Sequence, residues 1–236
     1  MLNPIRAIKL LYQLENHPEP LGVSQVMIEQ NEQALGVQLP AGLYHYLLAL
    51  GNIASLNSGF NQLGLLPLER LGDHLVIGKT CDNDGVWGIH VDDLSPKKQH
   101  NPMVQMSRNF DAIEQSEIHW FDELPLAEFL LAQAIINGVN GGLNYHAQIY
   151  DFDGITIPQD LAQKLESLAS EIIELRQPHE RYFQAEDFGV VMLLGMDESI
   201  PNAFMIASQD EHKFNDYIHQ LAIGFADWPK SSLMTT

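Results

Sequence analysis

The stretch Glu29–Gly51, EQNEQALGVQLPAGLYHYLLALG, decides how the first half of the chain folds. Ser24 lies just upstream in an N-cap position, where a hydroxyl oxygen accepts from the free N–H groups of a helix's first turn. The helix it opens runs to about Leu35 and stops at Gly36, because glycine enters the left-handed cap conformation without strain. Leu39-Pro40 restarts the chain. Proline suits a helix entrance, where its missing N–H would have no intrahelical partner. Leu43, Tyr44, Leu47, Leu48 and Leu50 then supply the apolar face of a second helix, which Gly51 closes. The expected unit is two short amphipathic helices joined by a tight, extended link.

Upstream, Asn3-Pro4 reads as a helix start, with Ile5, Ile8, Leu11 and Tyr12 at helical spacing. The prolines at 18 and 20 exclude its continuation. Downstream the period shortens. Leu63–Leu68 is strand-like but broken by Pro67, and His74–Lys79 reads as a strand. Asn83-Asp84-Gly85 is a hairpin signal, since all three residues tolerate positive φ. Val86, Trp87, Ile89 and Val91 make the return strand, in which Gly88 marks a bulge or a close backbone approach. Residues 96–102 read as a loop and Met103–Met106 as a short strand. Trp120 and Phe121 precede a helix from about Pro125 to Ile136. Gly138, Gly141 and Gly142 are the strongest internal breaker, and Asn144–Tyr150 follows as a strand. Pro158 is expected to open a long helix to about Leu175, on the spacing of Leu161, Leu165, Leu168 and Ile172. Phe188–Met196 and Ala203–Ala207 read as strands, and His212–Phe225 as a last helix.

Helices that alternate with hairpin-linked strands, without regular βαβ spacing, place the chain in the α+β class. The expectation is a curved, mainly antiparallel sheet with helices packed on it over residues 1–150. A C-terminal α/β extension over 151–236, in the order helix–strand–strand–helix, is expected to dock on the first part.

The chain has 236 residues, 45% hydrophobic and 18% charged, which is enough apolar material for a buried core. Its net charge of −19 would repel nucleic-acid phosphates and anionic membrane surfaces, so neither is an expected partner. Residues 1–110 hold 7 basic and 10 acidic side chains; residues 111–236 hold 5 and 21, and so carry most of the charge. No run approaches the roughly 20 apolar residues of a membrane span. The N-terminal segment, interrupted by Glu15, does not read as a signal peptide, and a cytoplasmic address is expected. Cys81 is the only cysteine. It makes no internal disulfide, and Asp82 and Asp84 beside it disfavour a reactive thiolate.

The motifs that carry chemistry are missing. The ten histidines are scattered, none paired at the spacing of helical metal ligands, so no metal and no cofactor is expected. Asp82-Asn83-Asp84-Gly85 resembles the middle of a calcium loop, but Thr80 and Val91 stand where its first and last acidic ligands belong. There is no nucleophile elbow, no phosphate-cradling loop and no dinucleotide fingerprint. The carboxylates are too numerous for spacing to select an acid–base pair. The chain is therefore expected to bind and not to catalyse.

The residues Glu32, Leu35, Gly36, Leu39, Pro40, Tyr44, Leu47, Leu48 and Gly51 resemble the opening signature of the SUKH superfamily. Leu65–Glu69 is similar to that family's first strand and turn. Asp82–Ile89 is similar to its central hairpin, with Asp84 where Gln is common. Asn101–Val104 is similar to its Asp-Pro-Pro-Val strand entry, with two of four positions differing, and Leu124–Leu131 resembles its closing helix. The resemblance spans roughly residues 22–150. It implies a non-enzymatic binding scaffold: an immunity protein that neutralises a polymorphic toxin, often a nuclease, or a regulatory interaction module like the fungal cell-wall regulators. An acidic chain suits a basic toxin domain as protein partner. Two acidic patches are candidates for binding it. One is Asp82, Asp84, Asp92 and Asp93 around Trp87, read as either a core aromatic or an interface anchor. The other is Glu180, Glu186, Asp187, Asp197 and Glu198. A solvated surface is the plain reading of any one of these acids, and an unrecognised hydrolase or transferase is the third functional alternative.

Overall fold

The helix–link–helix expected at Glu29–Gly51 is present in the computed structural model, which describes residues 3–17, 20–94, 101–108, 118–150, 157, 160–185, 188–194 and 201–221. After α1 (Pro4–Leu11) comes α2 (Gln25–Leu35), whose Met27 N–H donates to the Ser24 hydroxyl at 3.4 Å. Gly36 takes the left-handed conformation at φ 67°. Glu32 then closes the link from within α2: its carboxylate accepts the Leu39 N–H at 2.7 Å. α3 (Ala41–Leu50) buries Leu43, Tyr46, Leu47 and Leu50. This i, i+3, i+4, i+7 stripe corrects the expected face: Tyr46 belongs to it, and Tyr44 and Leu48 do not. The Tyr46 hydroxyl donates to Asn57 Oδ1 at 2.6 Å, and the Asn57 amide donates to the Leu50 carbonyl at 2.8 Å. Asn57, at the end of the short helix α4 (Ala54–Asn57), thereby satisfies a buried hydroxyl and a carbonyl at the end of α3.

The first sheet runs β1 (Gln62–Leu63), β3 (His74–Lys79), β4 (Val86–His90), β5 (Met103–Ser107), β6 (Phe121–Pro125), with β2 (Glu69–Leu71) also paired to β3. Every pairing is antiparallel. The β3–β4 turn forms where expected, and Asn83 carries the positive φ of 59°. A bulge between Val76 and Gly78 shifts the β3–β4 register. β6 is a strand that the sequence pattern does not show. It leads into α5 (Leu126–Asn137), whose Phe129 packs on Trp87 with ring centroids 5.5 Å apart.

The second sheet runs β7 (Tyr145–Tyr150), β11 (Pro201–Ser208), β10 (Phe188–Leu194), β9 (Glu180–Ala185), β8 (Ser170–Glu171), again antiparallel throughout. Its central strands are apolar on both sides because both are covered. Phe188, Val190, Met192, Phe204 and Ile206 pack with Leu161 and Leu165 of α6 (Leu161–Leu168) and with Phe214 and Leu221 of α7 (Glu211–Leu221). On the other side, Leu11 of α1 and Ile135 of α5 approach Gly189 of β10, and the Gln184 amide donates to the Ala7 carbonyl.

The class is thus α+β, with seven α-helices on two antiparallel sheets among the described residues. The expected helix to Leu175 ends at Leu168. Ser170 and Glu171 turn extended to pair with Gln184 and Phe183, and the Ile172 N–H donates to the Tyr182 carbonyl, so strand pairing overrides the helical spacing. Two strands of this half, β8 and β9, are additions to the expected order. The chain divides by its own packing into two units: one of Met1–Ile5 and His17–Gln133, the other of Arg6–Asn16 and Ala134–Thr236. The division falls inside α5 and not after residue 150, and β7 belongs to the second sheet because it pairs with β11. No described helix is long and apolar enough to cross a membrane. The expected start at Pro158, loop residues 96–100 and the helix continuation past Leu221 lie outside the described residues.

Candidate functional site

The sequence-selected acids sort into three groups. Asp82 and Asp84 are exposed in the β3–β4 turn and are occupied there. The Thr80 hydroxyl donates to Asp84 at 3.2 Å, and the Asp84 N–H donates to Asp82 at 3.3 Å. Hydrogen bonds from the Thr80 hydroxyl and the Asp84 backbone hold the Asp82 carboxyl below its usual range. Asp92 is exposed, and its N–H donates to His90 Nδ1 at 3.2 Å; Asp93 is half-buried in the same turn. Glu186, Asp187, Asp197 and Glu198 lie outside the described residues, and Glu180 accepts the Tyr182 hydroxyl. Of the two readings of Trp87, the structure has the core aromatic and not the interface anchor: it is 5% exposed and packs against Phe129.

The most organised polar constellation of the first unit is one that sequence spacing misses. His74 on β3 pairs directly with His90 on β4, and their rings meet edge to face at 5.0 Å. Two residues along β4, Gly88 pairs with Gln105 of β5. Having no side chain, Gly88 leaves a gap in the outer face of the sheet. His74 reaches across it, and its Nε2 lies 2.7 Å from Gln105 Oε1. The Gln105 amide donates in turn to Asp122 Oδ1 of β6 at 2.8 Å. Trp120 lies over the same gap, stacked on His74 at 3.9 Å and 9°. A Cβ at residue 88 would stand 3.0 Å from the Trp120 ring and 3.1 Å from His74 Cβ. This is the close backbone approach that the glycine marks in the sequence.

Hydrogen-bond direction fixes the protonation chemistry of this cluster. Asp122 accepts, so Gln105 must turn its NH₂ toward β6 and its oxygen toward β3. That oxygen accepts, so His74 carries its proton on Nε2 and titrates at Nδ1. Burial lowers the His74 pKa, and neighbouring His90 lowers it further; the Gln105 bond and the carboxylates of Asp73 and Asp93 oppose this. The folded chain therefore binds this proton less readily than the unfolded chain. The contribution to stability is full above the ordinary histidine value of about 6.5 and is lost as pH falls through the folded value. An NMR titration of the His74 ring is expected to give a pKa below 6.5, with the denaturation midpoint lower at acid pH. A His74 value at or above 6.5 would contradict this geometry.

No nucleophile among the described residues is joined to the cluster. Ser107, on the same side of β5 as Gln105 by strand alternation, is fully buried, and its hydroxyl has no hydrogen-bond partner. Among the described residues no three histidine, cysteine, aspartate or glutamate side chains gather to hold a metal. A groove of about 220 Å³ opens elsewhere on the sheet, between β3 and the Gly64–Leu68 connection, floored by Val76 and Gly78 and rimmed by Glu69 and Lys79. That is less than the roughly 300–1,000 Å³ of small-molecule sites. Phe121, next to Asp122 along β6, is 66% exposed, and strand alternation turns its ring to the face opposite that carboxylate. No protein-family model matches the chain, and no curated protein or solved structure matches it.

Proposed function

We propose that the chain is a non-catalytic binding protein whose partner is a basic protein. On the resemblance of residues 22–150 to the SUKH superfamily, that partner is a toxin domain which the chain neutralises as an immunity protein. The observation that carries the reading is the exposed ring of Phe121 on β6, a strand whose next two residues, Asp122 and Glu123, are both acidic. A large apolar side chain left outside the fold and flanked by negative charge suits a cationic, partly apolar partner surface. The net charge of −19 speeds the encounter with such a partner through long-range attraction.

The product of the neighbouring gene is the first partner to test. Expected results are co-purification, protection of cells when the two are co-expressed, and an association rate that falls by about tenfold or more as salt rises through the physiological range. Absence of both binding and protection with neighbouring products would end this reading.

A further inference from the structure

α2 and α3 lie side by side and run in opposite directions. Val23, just ahead of α2, donates its N–H to Leu47 in the last turn of α3. Glu32, in the last turn of α2, accepts the Leu39 N–H just ahead of α3. The cleft between the helices has walls of different chemistry. Gln25, Glu29 and Glu32 follow one another at i, i+4 and i+7 along one flank of α2. Tyr44 and Leu48 stand at i and i+4 on α3, on a flank outside its buried stripe. Leu48 is exposed and Tyr44 half-buried.

Neutral donors hold both carboxylates in place. Glu29 Oε1 accepts the Gln25 amide at 2.6 Å, and Glu32 Oε1 accepts the Leu39 N–H at 2.7 Å. Neither carboxylate takes part in the ion pairs formed among the described residues. Tyr44 lies in the field of both: partial burial, and then the charges of Glu29 and Glu32, raise its phenol above the ordinary value. Two fixed carboxylates beside an accessible aromatic ring complement a cation on an apolar stem. A second copy of this chain, a phosphate backbone or an anionic membrane would bring more negative charge to the same place. Arginine fits better than lysine, because its planar guanidinium lies along an aromatic ring while donating to two carboxylates at once.

We propose that the α2–α3 cleft receives an arginine of the basic partner, its guanidinium between Glu29 and Glu32 and its stem along Tyr44 and Leu48. This rests on the reading of the chain as a binding protein and names where that partner is held. The second oxygen of each carboxylate accepts from the guanidinium. Gln25 and the Leu39 backbone order the two carboxylates before the partner arrives, which lowers the entropy cost of binding.

The test uses the full chain and a synthetic peptide of about six residues with arginine at alternate positions, long enough when extended to overrun the cleft. Its counterpart carries citrulline, which has the shape of arginine without the charge. The arginine peptide is expected to shift the NMR signals of the Tyr44 ring and the Glu29 and Glu32 amides, and the citrulline peptide to leave them in place. Glu29→Gln with Glu32→Gln keeps both hydrogen-bond acceptors and is expected to weaken binding about tenfold. Glu174→Gln with Asp216→Asn removes equal charge from exposed positions of the second unit and is expected to change it less than about twofold. Tyr44→Leu is expected to weaken binding about threefold, with recovery in Tyr44→Phe. Equal losses in the two double variants, parent-like binding by Tyr44→Leu, or shifts confined to other surfaces would overturn the proposal. A neighbouring-gene product that binds the parent and the Glu29→Gln, Glu32→Gln variant alike would overturn it as well, yet leave the wider function standing. Capture of the arginine peptide at the cleft with no natural protein partner would instead remove the wider function and leave the cleft's preference for arginine in place.

Discussion

Replacing Gly22 with alanine is expected to destabilise the first unit by more than about 4 kcal/mol, the range reserved for severe clashes and broken networks. A Cβ at this position would fall inside the van der Waals radius of the Leu48 carbonyl group, which is backbone and cannot swing aside. The segment cannot back away either. The Val23 N–H donates to the Leu47 carbonyl at 2.9 Å, and the Asn52 N–H donates to the Leu21 carbonyl at 2.9 Å. The Asn52 side-chain amide donates to the Gly22 carbonyl at 2.6 Å. The first of these bonds is a second one to the Leu47 carbonyl, which also accepts the Gly51 N–H, and the others tie the segment to the residue just past the helix end. Gly36→Ala is the informative control. Its φ of 67° strains an L-residue by about 1–2 kcal/mol, but no atom lies within 4 Å of the added carbon. Chemical denaturation should therefore rank Gly22→Ala well below Gly36→Ala. Equal midpoints would refute the close approach.

Removing Arg181 is expected to cost the second unit about 3 kcal/mol, the low end for breaking a buried ion pair. Arg181 Nε and Nη2 donate to the two oxygens of Glu171 at 2.9 and 2.6 Å, and Nη2 also reaches Glu166 at 3.0 Å. The Arg181 and Glu171 side chains are nearly buried, and the guanidinium lies 5.1 Å from the Phe183 ring centroid. Arg181→Met leaves the Glu171 carboxylate with the more exposed Arg176, at 3.5 Å. The loss should be repaired largely in the double variant Arg181→Met, Glu171→Leu, because removing both charges removes the desolvation cost as well. The Arg181 hydrogen bonds hold the Glu171 carboxyl below its usual range. Its stabilisation is therefore present above the ordinary carboxylate value and disappears as pH falls through the folded one. Arg181→Met should be less sensitive to that acid interval than the parent. A single variant as stable as the parent, or a double variant no better than the single, would show that the pair does not hold β8 to β9.

Elements with strong local signals are legible in the amino-acid sequence. Ser24, Gly36 and Pro40 mark the ends of α2 and α3 because caps are decided within a few residues. The Asn83 turn and strands β3, β4, β10 and β11 are visible because alternation or dense apolar runs report burial directly. β8 and β9 are not legible in this way. Ser170-Glu171 has no strand pattern of its own, and in Glu180–Ala185 only Tyr182 and Phe183 are apolar and fully buried. Their conformation comes from pairing with each other and with β10. β6 is hidden for a similar reason, since Phe-Asp-Glu-Leu-Pro is an edge with little to bury.

The candidate site divides in the same way. Composition, charge and the α+β class follow from the chain alone, because each is a sum or pattern over neighbouring residues. So do the turn acids Asp82, Asp84, Asp92 and Asp93. The histidine cluster does not. Counting back from Lys79 opposite Val86 would set His74 against Val91. The bulge after Val76 moves the register by one residue and sets it against His90. The side chain absent at Gly88 then lets His74 cross to Gln105 and lets Trp120 lie on its ring. A one-residue slip reassigns every side chain of a strand, and only pairing across the sheet decides it.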